Sequence, residues 1–488
     1  MDYQSHRKAL QLIARNAMIE RGLVPDFSDA VLAEIKEITF SGNHQNYKAK
    51  DLRHLLWCSI DNADSLDLDQ LTYAEQLPDN RVRIMVAIAD VDALVKPQSN
   101  IDQHASHNTT TIYTIALIFP MLPEKLSTDL TSLRQDADRN AVVVDMIIDN
   151  DGAVQQSTIY CALVCNHAKL VYASLAEWLE GTGSMPSEVA QVKKLAETIK
   201  LQDQTAQKMN DLRYEHGALE FETIESRPVF DGDTLREVKG ERRNRAKTLI
   251  EDFMIASNGI TALYLAGKKF PSLRRVVRTP KQWNRIVELA LENGYSLPVE
   301  ADSKSLSQFL KFAKQTKPRH YADLSLSVLK LLGGGEYVVE TTDSADQGHF
   351  GLAVKDYAHS TAPNRRYPDL ITHRLLKSAM AGGIIPYSVE QLELIARHCT
   401  LKEDDAKKVE RQVEKSANAM LLESRIGEEF EAIVSGASSK GTWIRVIHPH
   451  VEGKLVKDYK GLQVGNQLKV RLISISVDSG FIDFERVD

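Results

Sequence analysis

Hydrophobic positions change their spacing along the chain, and the first stretch is helical. Within residues 1–48, apolar residues recur every three or four positions in two runs, LQLIARNAMIERGL and SDAVLAEIKEI, with Pro25 between them. This spacing predicts two helices joined by a Pro-containing turn. The pair is either a helix-turn-helix-like nucleic-acid-binding element or a helical cap on the main domain, and no basic stripe distinguishes the two.

The spacing shortens at about residue 49, where compact β-rich runs begin. They are LLWCSID, VRIMVAIADVDALV, TIYTIALIF and NAVVVDMIID, divided by turn residues. Long amphipathic helices follow between about residues 169 and 332, with a strand-like stretch at 218–229. These patterns predict a mixed sheet flanked by helices, and residues 49–426 are interpreted as one large domain.

The last region, residues 427–488, alternates apolar and polar positions in five short runs with glycines at the bends. The runs are FEAIVSGAS, GTWIRVI, VEGKLVK, QLKVRLISISV and SGFIDFERV. Five strands at this spacing are typical of an all-β OB-fold barrel. The predicted fold class is therefore α+β, with a small helical region before the large domain and a barrel after it.

Composition narrows the class of protein. The formal charge of −7 argues against a general nucleic-acid binder, since phosphate affinity comes largely from lysine and arginine, but it leaves room for a local basic channel. No uncharged apolar run reaches about 18 residues, and residues 1–10 lack a secretion-signal layout. We therefore expect a cytoplasmic protein without a membrane partner. The cysteines are interpreted as buried free thiols; they are Cys58, Cys161, Cys165 and Cys399.

An acidic segment, SIDNADSLDLDQ at residues 59–70, carries the strongest chemical signal. Its four aspartates repel one another unless cations are bound. Oxygen ligands suit Mg²⁺, with Mn²⁺ as an alternative, and two such ions can activate a water and neutralise a phosphodiester. The competing interpretations are a solvated acidic loop and a calcium loop, but the EF-hand glycine and the final glutamate are missing.

A second segment, HSTAPNRRYPD at residues 359–369, places Arg365 and Arg366 just before a predicted helix. Paired guanidinium groups at a loop-to-helix junction can clamp a phosphate, and the helix amides add positive potential. Taken alone, a surface salt-bridge pair explains these arginines equally well.

Together the two segments make the chain resemble the ribonuclease II / ribonuclease R (RNB) family of 3′→5′ exoribonucleases. Further similar segments are IMVAIADVDALV, IFPMLPEKLSTDLTSL, RYEHGALEFE, LIEDFMIASN and GHFGLAV, in the same order. The resemblance implies a narrow channel for single-stranded RNA, a Mg²⁺-dependent hydrolysis that releases nucleoside 5′-monophosphates, and a barrel that binds RNA. It gives no sign of an obligate protein partner.

The resemblance also implies roles for individual residues. Asp61, Asp67 and Asp69 match the metal-site aspartates, and Asp69, Arg365 and Arg366 are the expected catalytic residues. The expected RNA-binding residues are Tyr113, which would stack on the terminal nucleotide, Glu251, which would accept hydrogen bonds from ribose hydroxyls, and Thr361 of the arginine motif.

The chain departs from the family pattern at Gln70, where a second adjacent aspartate is usual. The amide oxygen of Gln70, helped by waters and by Asp90 or Asp369, could complete a working metal site. The enzyme could instead be slow, or the chain could be an RNA-binding regulator that does not cut; retained activity is favoured because three carboxylates remain. Ala362 and Asn364 also replace a usual serine and isoleucine, and the 48 leading residues here cannot hold a cold-shock barrel. A helix-turn-helix DNA binder is the weakest alternative.

Overall fold

The structure is a computed structural model of the 488-residue chain. It describes residues 5–39, 49–221, 224–318, 321–341, 348–438, 441–462 and 465–487.

Helices are distributed through the first two predicted regions. The N-terminal pair is α1 (His6–Glu20) and α2 (Asp29–Glu37). The helices of the large domain are α3 (Asn100–Asn108), α4 (Tyr172–Leu179), α5 (Ser187–Gln191), α6 (Leu195–Glu215), α7 (Arg245–Gly267), α8 (Trp283–Glu292), α9 (Ser303–Thr316), α10 (Tyr321–Leu332), α11 (Tyr367–Met380) and α12 (Val389–Leu422).

The large domain is built on a mixed sheet. Its strands are β1 (Lys50–Asp51), β2 (Trp57–Asp61), β3 (Gln70–Gln76), β4 (Val82–Ala89), β7 (Asp138–Ile148) and β8 (Val154–Val171), in the order β1-β8-β2-β3-β4-β7, with β7 also paired to β8. Three hairpins or ribbons lie outside it: β5 (Ile112–Tyr113) with β6 (Ile118–Phe119), β9 (Ile224–Asp231) with β10 (Thr234–Arg242), and β11 (Ser272–Val276) with β12 (Glu336–Glu340).

Strand β4 shows why simple alternation fails in the centre of this sheet. Seven of its eight residues, in the run VRIMVAIA, are buried. Both faces are therefore covered, which explains the nearly continuous apolar run in the sequence. Helix α7 packs against β4, β7 and β8, and α11 packs against α7. Lys247 near the start of α7 and Arg366 at the start of α11 line the same cavity as Asp61 and Gln70, which flank the β2–β3 loop.

The N-terminal helices pack against the body of the protein. The buried face of α1, which includes Leu10, Ala14 and Met18, belongs to a hydrophobic cluster that also contains residues of α12 and of the C-terminal strands. The Asn108 side chain holds the turn between α1 and α2, because it accepts a hydrogen bond from the Val24 amide (2.9 Å) and donates one to the Val24 carbonyl (2.8 Å). The pair therefore forms a helical cap in this structure.

The C-terminal strands close into a barrel, as the sequence predicts. They are β13 (Glu429–Ser438), β14 (Gly441–Val446), β15 (Glu452–Lys457), β16 (Gln467–Ser476) and β17 (Phe481–Arg486), in the closed order β13-β14-β15-β17-β16. Arg445 on β14 forms an ion pair with Asp323 on α10 (2.7 Å), which ties the barrel to the large domain.

The α+β prediction with a terminal barrel and leading helices is confirmed. The sequence pattern identified only one strand-like stretch at 218–229, whereas the chain folds into the β9–β10 hairpin at 224–242. It also missed the β11–β12 ribbon. A short ribbon pairs residues about 65 positions apart, and local alternation carries no signal for such a partner.

Candidate active site

The acidic segment joins two neighbouring antiparallel strands. Strand β2 ends at Asp61 and β3 begins at Gln70, so residues 62–69 form a loop at one edge of the sheet. Asp69 is 2% exposed and directly precedes β3, whose first residues pair with β4. The sheet therefore fixes the two ends of the acidic loop while its middle stays near the surface.

The arginine segment reaches this loop from the other side of the domain. We call residues 360–366 the arginine loop; it ends where Arg366 caps α11, which has proline in its first turn. Asp69 Oδ1 accepts the backbone amide of Asn364 (3.0 Å), and Asp69 Oδ2 accepts Nε of Arg365 (3.0 Å). Residues almost 300 positions apart are thereby brought into direct contact.

Two further aspartates of the acidic segment, Asp61 and Asp67, have different partners. Asp67 Oδ2 accepts the hydroxyl of Tyr113 (2.7 Å), and Asp61 Oδ1 accepts the hydroxyl of Ser65 (2.9 Å). Because each carboxylate turns towards its own partner, no group of three or more His, Cys, Asp or Glu side chains in the described ranges is arranged to hold a metal ion. The donors are nevertheless all oxygens, which is the chemistry that Mg²⁺ prefers.

The two arginines of the pair do different things. Arg365 contacts the acidic loop, and its side chain is 44% exposed. Arg366 instead forms an ion pair with Asp369 in the same helix (2.7 Å). Asp369 is fully buried and also accepts the Ala362 amide (2.8 Å), so it stabilises the arginine loop from below.

Asp90 and Asp369, the two acidic residues that could have replaced a missing metal ligand, each form an ion pair outside the acidic loop. Asp90 forms a buried ion pair with Lys377 (2.9 Å), and Asp369 forms the pair with Arg366. A buried carboxylate that is already neutralised by a cation gains little by turning towards another one. We therefore no longer expect either residue to complete a metal site.

Gln70 also contacts the arginine loop. Its side-chain amide Nε2 donates a hydrogen bond to the backbone carbonyl of Thr361. Thr361 is 3% exposed, and its hydroxyl receives a longer contact from Arg366 (3.4 Å). The neutral amide that departs from the family pattern thus has a specific partner in this fold.

Burial dominates the electrostatics of the acidic loop. It raises the pKa of Asp69 to about 7, although Arg365 and the Asn364 amide act in the opposite direction. Burial likewise raises the pKa of Asp61 and of the Tyr113 hydroxyl. Carboxyl groups held near neutrality by desolvation are characteristic of functional sites, and a bound cation would favour their ionised form.

A cavity of about 630 Å³ connects the acidic loop with α7. Its lining includes Asp61, Gln70, Thr361, Arg365 and Arg366, together with apolar residues such as Leu219 and Phe221. Glu251, the α7 carboxylate expected to recognise ribose, lies on its wall. Among the predicted site residues, Asp67, Asp69 and Tyr113 adjoin the cavity through Asp61 and Arg365 without lining it.

The structure gives Glu251 partners that sequence reasoning missed. Its carboxylate forms an ion pair with Arg243 (2.7 Å) and lies 3.8 Å from Arg213. Arg243 and Lys247 also line the cavity, so positive charge surrounds Glu251. The basic run at residues 242–247 was visible in the sequence, but its orientation was not.

Comparison with known proteins places the chain in a class. The RNB domain matches residues 49–382, and the RNase II-type exonuclease C-terminal S1 domain matches residues 428–487. The chain belongs to the RNB family, whose members are typically metal-dependent exoribonucleases.

Individual relatives share the fold at low identity. Ribonuclease R of Vibrio cholerae is 31% identical over 480 residues, which cover 90% of this chain and 57% of that protein. Ribonuclease R of Mycoplasma genitalium, solved with ribose-methylated single-stranded RNA, superposes with a TM-score of 0.88 at 24% identity and covers 98% of this chain and 78% of that one. Yeast Ssd1, a pseudonuclease, superposes with a TM-score of 0.71 at 15% identity, covering 96% and 57%. The chain spans 57–58% of the length of the first curated relatives.

Among the described residues, no helix is long and apolar enough to cross a membrane.

Proposed function

We propose that this chain is a Mg²⁺-dependent 3′→5′ exoribonuclease that hydrolyses single-stranded RNA to nucleoside 5′-monophosphates. The observation that carries the proposal is the contact between Asp69 and Arg365. It joins the acidic loop to the arginine loop beside a 630 Å³ cavity. Carboxylates that could hold Mg²⁺, next to a cation that could bind phosphate, suit phosphodiester hydrolysis.

The donor set fits Mg²⁺ chemically. Asp61, Asp67 and Asp69 would hold it through carboxylate oxygens, after releasing Ser65, Tyr113 and part of the contact with the arginine loop. The ion, when bound, would supply charge neutralisation on the phosphate and a more acidic water. Mn²⁺ has the same ligand preference and is the expected substitute.

The side chains would orient the substrate. Arg365 is partly exposed beside Asp69, and its remaining guanidinium N–H groups can donate to phosphate oxygens. In the reaction a water oxygen bonds to phosphorus and the bond to the 3′ oxygen breaks. That oxygen takes a proton to leave a shortened strand with a free 3′-hydroxyl, and the released nucleotide carries a 5′-phosphate.

The residues at and near the cavity support RNA as the polymer that is hydrolysed. Glu251 on its wall can accept hydrogen bonds from ribose 2′-hydroxyls, which DNA lacks. Tyr113 is 41% exposed, and its ring can stack on a base next to the acidic loop. Thr361, which also lines the cavity, accepts a hydrogen bond from Gln70 and contacts Arg366.

The test is hydrolysis of RNA labelled at its 5′ end, with Mg²⁺ and with a chelator. We expect a ladder of shortening labelled products with Mg²⁺ and intact RNA with the chelator. Asp69→Asn should abolish hydrolysis and keep RNA binding, because it removes a charge without changing shape. Asp64→Asn, the same substitution at an exposed position of the same loop, is the matched control and should remain active.

Full-length RNA after prolonged incubation with Mg²⁺ or Mn²⁺ at micromolar protein would overturn the proposal. A 5′-labelled mononucleotide appearing first would overturn the direction, since it would show degradation from the other end.

A second candidate function is RNA binding without hydrolysis. The hydrogen bond from Gln70 to Thr361 favours it, because that bond occupies the position of a usual aspartate with a neutral donor. Yeast Ssd1, which shares this fold, is described as a pseudonuclease, and this is consistent with the second candidate. Tight binding of single-stranded RNA, combined with no hydrolysis under the conditions above, would select this candidate.

A further inference from the structure

The backbone of the arginine loop is held by specific partners at successive positions. Asn258 Oδ1 accepts both the amide and the hydroxyl of Ser360 (2.9 and 3.0 Å), and Asp369 Oδ1 accepts the Ala362 amide (2.8 Å). Asp69 Oδ1 accepts the Asn364 amide (3.0 Å). These contacts fix the position of the backbone that leads to Arg365, because each of them orients one peptide group.

Gln70 supplies the corresponding contact for Thr361. The Thr361 carbonyl can only accept a hydrogen bond, so the Gln70 atom that faces it must be the amide nitrogen and not the oxygen. The partner therefore determines the orientation of the side chain. With its nitrogen directed at Thr361, Gln70 presents a donor to the loop where the metal-site hypothesis needed an oxygen.

We propose that Gln70 is a positioning residue for the arginine loop, acting through its side-chain N–H donor on Thr361, and that it is not a metal ligand. Asp69 and Gln70 then both bind the arginine loop, but one accepts hydrogen bonds and the other donates one. Asp69 accepts from an amide and a guanidinium group, and Gln70 donates to a carbonyl. The inference rests on the proposed function for its consequence in catalysis, but not for the contact itself.

The Thr361 carbonyl explains why a donor suits this position. A glutamate here, which has the length of glutamine, would face the Thr361 carbonyl with a carboxylate and would leave that carbonyl without this donor. The Thr361 peptide would then rotate away from residue 70, and the backbone that leads to Arg365 and Arg366 would be displaced.

The test compares Gln70→Glu, which keeps size and loses the donor, with Gln70→Met, which loses both donor and oxygen. Gln76→Glu is the matched control, since Gln76 ends the same strand and its amide bonds only to turn carbonyls at 77 and 81 among the contacts described. Turnover of 5′-labelled RNA is measured at 20 °C, together with the Mg²⁺ concentration that gives half the maximal rate. Melting temperature is measured in chelator.

We expect both Gln70 variants to lose between about 10-fold and 100-fold in kcat, since displacement of a positioning group by about 1 Å has that effect. Both should also melt about 1–4 °C lower in chelator, where no metal can contribute. The half-maximal Mg²⁺ concentration of Gln70→Glu should not fall, and Gln76→Glu should behave as the wild type.

A metal-ligand role gives the opposite result for one variant. Gln70→Glu would then match or exceed wild-type kcat, would need less Mg²⁺ and would keep its melting temperature in chelator; that outcome would overturn the inference. If the wild type itself does not hydrolyse RNA, the proposed function fails. The chelator melting temperatures of Gln70→Glu and Gln70→Met relative to Gln76→Glu still decide whether the contact with Thr361 exists.

Discussion

Asp69→Asn should change how the stability of the metal-free protein depends on pH. Asp69 is 2% exposed, and burial raises its pKa from 3.8 to about 7, while Arg365 and the Asn364 amide oppose the rise. A carboxyl whose pKa is raised in the folded state stabilises the fold while it is protonated. This contribution is fully present below pH 3.8 and is lost as the pH rises through about 7.

The magnitude follows from the pKa rise. At 1.36 kcal/mol for each pH unit, a rise from 3.8 to about 7 corresponds to roughly 4 kcal/mol, all of it lost at pH 8. Asparagine keeps the shape and can still accept the Asn364 amide, but it does not ionise. The free energy of unfolding of Asp69→Asn, relative to wild type, should therefore increase by up to about 4 kcal/mol between pH 4 and pH 8.

The assay is urea unfolding in chelator at pH 4, 5, 6, 7 and 8, followed by tryptophan fluorescence, which includes the buried Trp57 of β2. Asp64→Asn is the control and should run parallel to wild type. Adding Mg²⁺ at pH 8 should stabilise wild type more than Asp69→Asn, because the ion binds the folded carboxylate. A difference in the free energy of unfolding between wild type and Asp69→Asn that stays constant from pH 4 to pH 8 would refute the reasoning.

Three further outcomes test other contacts. Tyr113→Phe removes the hydroxyl that donates to Asp67 and keeps the ring, so RNA affinity in a filter-binding assay should stay within about 3-fold, because stacking needs only the ring. A much larger loss would contradict the stacking role. Glu251→Gln should lower the ratio of the hydrolysis rates on RNA and on DNA of the same sequence by about 10-fold, because a neutral amide accepts hydrogen bonds from ribose hydroxyls less strongly. An unchanged ratio would count against a role of Glu251 in recognising ribose. Arg445→Ala should lower the free energy of unfolding by about 1 kcal/mol or less, since its ion pair with Asp323 is partly exposed. It should also lower the affinity for long RNA more than the affinity for short RNA. Equal losses for both lengths would argue that the barrel does not guide the strand.

The elements of the fold could be predicted wherever local pattern specifies them. The helical spacing near the N-terminus and the five alternating runs after residue 427 are local signals. Both predictions are confirmed in the described residues, by helices α1 and α2 and by the closed barrel. The β9–β10 hairpin and the β11–β12 ribbon depend on partners that alternation does not identify. For those strands the pairing decides the structure.

The candidate site divides in the same way. The residue types at Asp61, Asp67, Asp69 and the arginine pair indicated metal and phosphate chemistry from spacing and from resemblance. Their assignments as catalytic and metal-binding residues remain predictions. The sequence could not show that Arg366 turns to Asp369 while Arg365 alone contacts the acidic loop.

The sequence by itself determined the order of the regions, the family and the chemical types collected in two segments. Only the tertiary structure decided which groups meet, because Asp69 and Gln70 contact a loop almost 300 residues away through hydrogen bonds of opposite polarity. Such contacts depend on the orientation of single peptide groups and on burial, which also sets the pKa of Asp69. Neither quantity is encoded by local spacing, since both are fixed when the sheet and helix α11 pack together.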